Sequence, residues 1–203
     1  VVVHFEGKSN GTDLNSGVKK YQVENSGKLR KKWEKEFGEQ YENAQCVFKA
    51  RERSKNKKVI LVIDHYVPQF DKDAGSKTTF QYLKMFVKQG YSVKFIGDNF
   101  YQDEPYTTVL QQMGVEVLYG PWYAQHWQEW ILDNKKYIDF AYLNRPHITI
   151  KYIDFLKEKT DIKCIYYGHD LHFLRLCREY ELTGDEGKLK ESNEWLEKEL
   201  YIM

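Results

Sequence analysis

The sequence has only three cysteines, Cys46, Cys164 and Cys177. They form no C-x-x-C pair and no metal-ligand spacing, so neither a disulfide framework nor a zinc module is expected, and they read as reduced thiols of a cytosolic protein. No apolar run approaches the roughly 18 residues of a membrane span. The opening VVVHFEG has no basic segment and no long apolar segment, so it is not a signal peptide. It also has no initiator Met, and residues 191–203 stop within a helical pattern without a C-cap. The chain is therefore expected to be a fragment cut at both ends. Charge of one sign is lacking too: the formal net charge is +1 and the charges are mixed, so no field favours nucleic acid. No G-x-G-x-x-G lies at the first strand–helix turn and no Walker A motif exists, which disfavours a NAD-type enzyme and a nucleotide-binding regulator.

What is present suits one α/β domain with a sizeable core and a small appendage, in 203 residues. Aromatics are abundant, with 16 Tyr, 11 Phe and 5 Trp. Such residues line sugar sites, but they fill cores more often.

The most informative stretch is KKVILVIDHYVPQFDKDAGSKTTFQYLKMF, residues 57–86. Residues 59–63 are a continuous apolar run rich in β-branched residues, as a strand covered on both faces requires. Asp64 closes it, and 65–74 has no apolar periodicity and reads as a loop. A helix then opens at Gly75-Ser76, with Phe80, Leu83, Phe86 and Val87 on one face and Ser76 as its N-cap. Such a turn suits an anion, because unpaired N–H groups and the helix dipole point outward.

Gly90 ends this helix at C′, and 91–96 is the second strand. A helix over 105–113, a third strand at 115–119 and a helix at 122–134 follow. In the last, Trp127, Trp130 and Ile131 form a stripe that reads as core rather than as a sugar platform. Strands at 138–143 and 163–167 each lead into a helix, and a further helix starts at Lys188. Strand and helix alternate throughout, which predicts a doubly wound parallel sheet. Residues 1–56 differ. A strand remnant at 1–4 and a Gly-rich loop at 6–16 precede a basic helical stretch at 18–37, with Tyr21, Leu29, Trp33 and Phe37 as anchors. A charged linker closes the region.

Three strand ends carry polar residues: Asp64-His65, Asn144-Arg145-His147 and Gly168-His169-Asp170. One doubly wound sheet would bring them to a single rim. His169 follows a glycine that permits close approach. Asp170 is also placed to cap the next helix, and His172 reads as a helix-surface residue. Arg145 suits either a phosphate or an acid of the rim.

These stretches carry a resemblance. VIDHYVPQFDKDAGSKTTFQYLKMFVKQGYSVKFIGDN, then YLNRPHI at 142–148 and YYGHDLHFLR at 166–175, resemble the N-terminal half of a retaining family-4 glycosyltransferase of GT-B fold, over about residues 57–203. The resemblance implies a Rossmann-like half-enzyme on the acceptor side, truncated at its C-terminal end. It implies sugar transfer from a nucleotide-sugar donor to a saccharide or lipid-linked acceptor in surface polysaccharide synthesis, with no metal. It places His169 near the reacting centre as the catalytic residue. Gly75, Ser76, Asn144, Arg145, His147, Gly168 and Asp170 fall to donor or acceptor binding. Many members carry Gly-Gly where this chain has Ala74-Gly75. The donor-binding Rossmann half is expected elsewhere in the same polypeptide, and the protein is expected in the cytoplasm, with association at the inner membrane face left open. HFEGKSNGTD, GVKKYQ and KW in residues 1–56 resemble the end of a family-2 glycosyltransferase domain of GT-A fold. His4 would then belong to a metal site only with a complete domain before it. The alternative from the residues alone is a saccharide- or partner-binding module without turnover.

Overall fold

The computed structural model describes residues 11–203, which fall into two units, one ending at Asn56 and one spanning Lys57–Met203. The strand read at 1–4, and His4 itself, lie outside the described residues.

The described residues of the first unit form three α-helices, α1 (Lys20–Lys32), α2 (Glu34–Gly38) and α3 (Val47–Ala50). The basic stretch is helical, but its four expected anchors are not buried. Tyr21, Leu29, Trp33 and Phe37 are 43% to 53% exposed, and no described residue of α1 or α2 is buried. Their spacing makes a stripe that stays largely exposed among the described residues.

The second unit is an α/β fold with a five-stranded, all-parallel sheet flanked by helices, compatible with a doubly wound Rossmann-like arrangement. Its elements are β1 (Val59–Asp64), α4 (Ala74–Lys88), β2 (Ser92–Gly97), α5 (Tyr106–Gln112) and β3 (Val115–Leu118), then α6 (Pro121–Asn134), β4 (Phe140–Asn144), α7 (Pro146–Lys159) and β5 (Lys163–Tyr167), and finally α8 (His172–Thr183) and α9 (Glu186–Ile202). The strand order is β3-β2-β1-β4-β5. β1 is central, and Val59 through Ile63 are at most 2% exposed. Burial of each such aliphatic side chain contributes about 1.5–3 kcal/mol.

Alternate residues of each strand serve opposite faces. On one face Ile60, Val62, Val93 and Phe95 pack with Leu83 and Phe86 of α4 and Leu110 of α5. The other face meets α7, whose Ile148, Tyr152, Ile153 and Leu156 are buried and which contacts β1, β4 and β5. Trp127 of α6 packs on Tyr152 and Phe155 of α7, at 4.6 and 5.1 Å between ring centroids, and Trp130 and Ile131 are buried. The tryptophan stripe is thus core-facing. Inside β2, Lys94 breaks the apolar pattern: it is fully buried, and it pairs at 2.7 Å with Glu116, its register partner on β3.

Candidate functional site

The chain leaves β1 towards β2 on one side and finds β4 on the other, so the direction of winding reverses between β1 and β4. Ligands of open α/β sheets bind outside the carboxyl ends of the strands at this point. β1 ends there in Asp64, β4 in Asn144 and β5 in Tyr167, with the Gly168-His169-Asp170 loop just beyond.

Asp64 is the hub of the rim. It is 2% exposed. Its Oδ1 accepts from Arg145 Nε at 2.7 Å and from the His65 amide at 2.7 Å, and its Oδ2 accepts from Thr79 Oγ1 at 2.6 Å. A carboxylate this deep requires such partners, because its hydration is lost. Arg145 reaches it from an unusual backbone, φ 62° and ψ 133°, immediately before Pro146. Its amide donates to Tyr167 O at 2.9 Å, which pins the strained residue to β5.

Asn144 ties the three strands together. It is fully buried; its Nδ2 donates to Ile63 O at 3.1 Å, and its Oδ1 lies 3.3 Å from His169 Nε2. Because the amide nitrogen is committed to the carbonyl, Oδ1 is the acceptor, and His169 donates through Nε2. Its Nδ1 is then an acceptor. His169 itself has φ 62° and packs edge-on against Tyr167 at 4.7 Å. Burial pushes the imidazole below its ordinary value; nearby Asp64 opposes this and the Arg145 charge adds to it.

Gly75 and Ser76 occupy the first turn of α4, but not in the expected way. The N-cap is Asp73, not Ser76: its Oδ1 accepts from the Ser76 amide at 2.7 Å and its Oδ2 from the Ser76 hydroxyl at 2.6 Å. The helix therefore starts earlier than the Gly75-Ser76 reading, and Ser76 is buried with both polar groups committed to Asp73. Burial raises the Asp73 carboxyl, but the Ser76, Tyr66 and Arg145 interactions outweigh it and hold the group below its ordinary range. Gly75 has ordinary helical φ. It is small for another reason, since a Cβ there would stand 2.8 Å from Arg145 Nη2. The Arg145 guanidinium thus lies over the turn and bridges it to Asp64.

Beside this core runs a row of imidazoles. His147 is half-buried between His65, at 5.4 Å, and His172, stacked at 5.5 Å with an 18° interplanar angle. Burial, then the neighbouring His172, His65, Arg145 and Lys151 charges, push His147 down to about 4. His172 is not the surface residue its position suggested: its side chain is 14% exposed and contacts Trp195 of α9. Asp170 does not cap α8. It pairs with His172 at 3.4 Å and Arg175 at 3.3 Å. The cap comes from α9, where the fully buried Glu199 accepts from the His172 amide at 2.8 Å and the Phe173 amide at 3.5 Å. Gly168 leaves room for Tyr166, whose Oη would stand 2.9 Å from a Cβ. That Oη is buried without a hydrogen-bond partner, and burial followed by Glu199 and Asp170 pushes the phenol up to about 12.

Asn144, Arg145, His169 and Gly75 are thus gathered around Asp64, while His147, Gly168 and Asp170 flank them. The sequence reading saw Asp64 and His65 as strand-end residues but not as part of the contact network. It missed Asp73 and Glu199. Asp73 carried a signal, an Asp three residues before Ser76 and just ahead of an apolar helix; Glu199 carried none. Among the described residues, no group of three or more His, Cys, Asp or Glu is arranged to hold a metal ion, and no helix is long and apolar enough to cross a membrane. Comparison with family models, with curated proteins and with solved structures finds no match to this chain.

Proposed function

We propose that residues 57–203 are the acceptor-side, Rossmann-like half of a GT-B glycosyltransferase that moves a sugar from a nucleotide-sugar donor to a saccharide or lipid-linked acceptor in surface polysaccharide synthesis. The observation that carries this reading is the linked set Asp64–Arg145 and Ile63–Asn144–His169 at the reversal of winding. An imidazole lowered by burial is uncharged near neutral pH, and its Nδ1 is an acceptor. It suits a hydroxyl of the donor sugar, a bond that strengthens as positive character builds at the anomeric carbon. Arg145 is anchored through Nε alone, and a guanidinium has further N–H donors that suit a phosphate oxygen. Asn144 fixes the tautomer and orientation of His169 and touches no substrate in this scheme. In this reading the nucleotide is held mainly by a second Rossmann half, which provides the opposite wall of the cleft.

The test is His169→Ala in the full-length polypeptide, with steady-state kinetics and thermal melts of both proteins. The expected result is a roughly 10- to 1,000-fold loss in kcat with kcat/KM falling alongside, and a variant that still folds cooperatively with a melting temperature only slightly lowered by the unpaired Asn144 Oδ1. An unaltered kcat, or a loss that tracks unfolding, returns His169 to a structural role. Saccharide binding by a full-length protein that transfers nothing would favour the non-catalytic binding module, for which the internal satisfaction of Asp64 and Ser76 speaks.

A further inference from the structure

Three aromatic residues of the second unit are more than half exposed: Tyr101 at 66%, Trp122 at 52% and Tyr201 at 56%. Tyr201 is engaged, by Asp154 at its hydroxyl and Lys157 over its ring. Tyr101 and Trp122 differ. Both follow the carboxyl ends of strands, β2 and β3, on the rim that carries the candidate site. Their segments are joined, since the Gly120 amide donates to Phe100 O at 2.8 Å.

The Trp122 ring is held in place from below and from the side. His126 stacks on it at 5.1 Å with an 18° interplanar angle, and Tyr123 meets it edge-on at 5.1 Å. His126 is fixed in turn, its Nδ1 donating to Trp122 O at 2.9 Å. This placement breaks regular backbone: His126 has non-helical φ and ψ inside α6, and Phe100, next to Tyr101, has φ 50°. Singly exposed aromatics need no account. A ring stacked on a fixed imidazole, on a segment hydrogen-bonded to the one that carries a second exposed ring, and next to strained backbone, is a rigid platform.

The chemistry of its ligand follows from charge. Segments 99–105 and 119–134 contain no Lys or Arg, and the acidic Asp103 and Glu104 follow Tyr101 directly. A nucleotide would bring phosphates to segments that offer carboxylates and no cation of their own. A neutral pyranose would not: its face of C–H groups packs on an indole, and its hydroxyls donate to carboxylate and amide oxygens. We propose that Trp122, with Tyr101, is the stacking platform for a neutral pyranose unit of the acceptor saccharide. The assignment rests on the transferase reading only in calling that saccharide the acceptor; the platform itself stands on its own geometry.

The test is a titration of the isotope-labelled chain, followed by NMR, with neutral oligosaccharides of glucose and galactose and, separately, with a nucleoside diphosphate. The expected result is a saturable shift of the Trp122 indole N–H with saccharide and none with the nucleotide. Trp122→Ala should weaken saccharide binding at least tenfold, Tyr101→Ala less, and Trp122→Phe should restore part of the loss, with thermal melts confirming that each variant folds. Three results would overturn the platform: saccharide binding that Trp122→Ala leaves unchanged, a Trp122 shift caused by the nucleotide, or no saccharide shift at Trp122. None of them bears on the His169 kinetics, so the transferase reading stands or falls separately.

Discussion

At the scale of single residues, the most exposed consequence of this arrangement is the titration of His147. Burial disfavours its charged form, and the cations that face it, His172, His65, Arg145 and Lys151, add to the effect, so the group titrates near 4 rather than near 6.5. Between those values the unfolded chain binds the proton and the folded chain does not. Stability therefore rises with pH across that window and is lost as the pH falls through it. The ring is only partly shielded from solvent, which reduces the contribution to about 1–2 kcal/mol. Urea denaturation from pH 7 to pH 4.5 should show a steeper loss for the natural chain than for His147→Gln. Parallel curves would show that His147 does not carry the dependence. None of this was legible beforehand. A His two residues after Arg145 announces a rim position, but its stacking partners come from residues 65 and 172, on other loops. Asn144, Arg145 and His169 were legible as strand-end polar residues because an apolar run that stops at a polar side chain marks a sheet edge. Their mutual bonding was not, since Ile63 and Asn144 meet only through the β1–β4 register.

At the scale of elements, the helix α8 depends on its neighbour. Its own N-cap, Leu171, offers no side-chain acceptor. Glu199 supplies one from α9, and Ser192 Oγ of α9 donates to Phe173 O at 2.7 Å. A buried carboxylate at a helix N-terminus is stabilised by the orphan N–H groups and the dipole. Glu199→Ala should therefore cost about 2 kcal/mol and speed hydrogen exchange at the His172 and Phe173 amides, while Glu199→Gln, which keeps an acceptor, should cost less. Equal exchange in the Ala variant and the natural chain would refute the cap. The strands and helices of the second unit were placed to within two or three residues by apolar run length and by Gly90 and Gly114, which stop α4 and α5 in left-handed backbone, whereas α3 lies in a stretch that reads as a charged linker. The misplacements have local physical causes. Asp73 took the capping role that Ser76 was given and moved the start of α4, and Asp185, capping through the Gly187 amide at 2.8 Å, moved the start of α9 ahead of Lys188. The break inside α6 had no signal, because His126 departs from helical backbone to serve a stack that only the folded rim contains.

At the scale of the molecule, the two units differ in what holds them. In the second, β1 lies inside a sheet with helices on both faces, and its amides are paired on both sides with β2 and β4. The doubly wound class was legible because alternating elements and a fully apolar central strand leave few other architectures. The first unit has no such signature, and the same reading assigned its aromatics to anchoring. A periodic stripe specifies a face to be covered but not what covers it, and Tyr21, Leu29, Trp33 and Phe37 remain exposed. Helices of this length depend on tertiary packing far more than on intrinsic propensity. With no described residue of α1 buried, its hydrogen bonds open by local fraying, whereas those of β1 open only when the whole sheet does. Amide exchange of the intact chain should thus show α1 exchanging close to the rate of an unstructured peptide while Val59 through Ile63 exchange at the rate of global unfolding. Adding denaturant below the unfolding transition should accelerate β1 and leave α1 nearly unchanged, because only global opening exposes a large surface. Protection in α1 equal to that in β1 would mean that the exposed stripe is covered in solution and that the two units unfold as one.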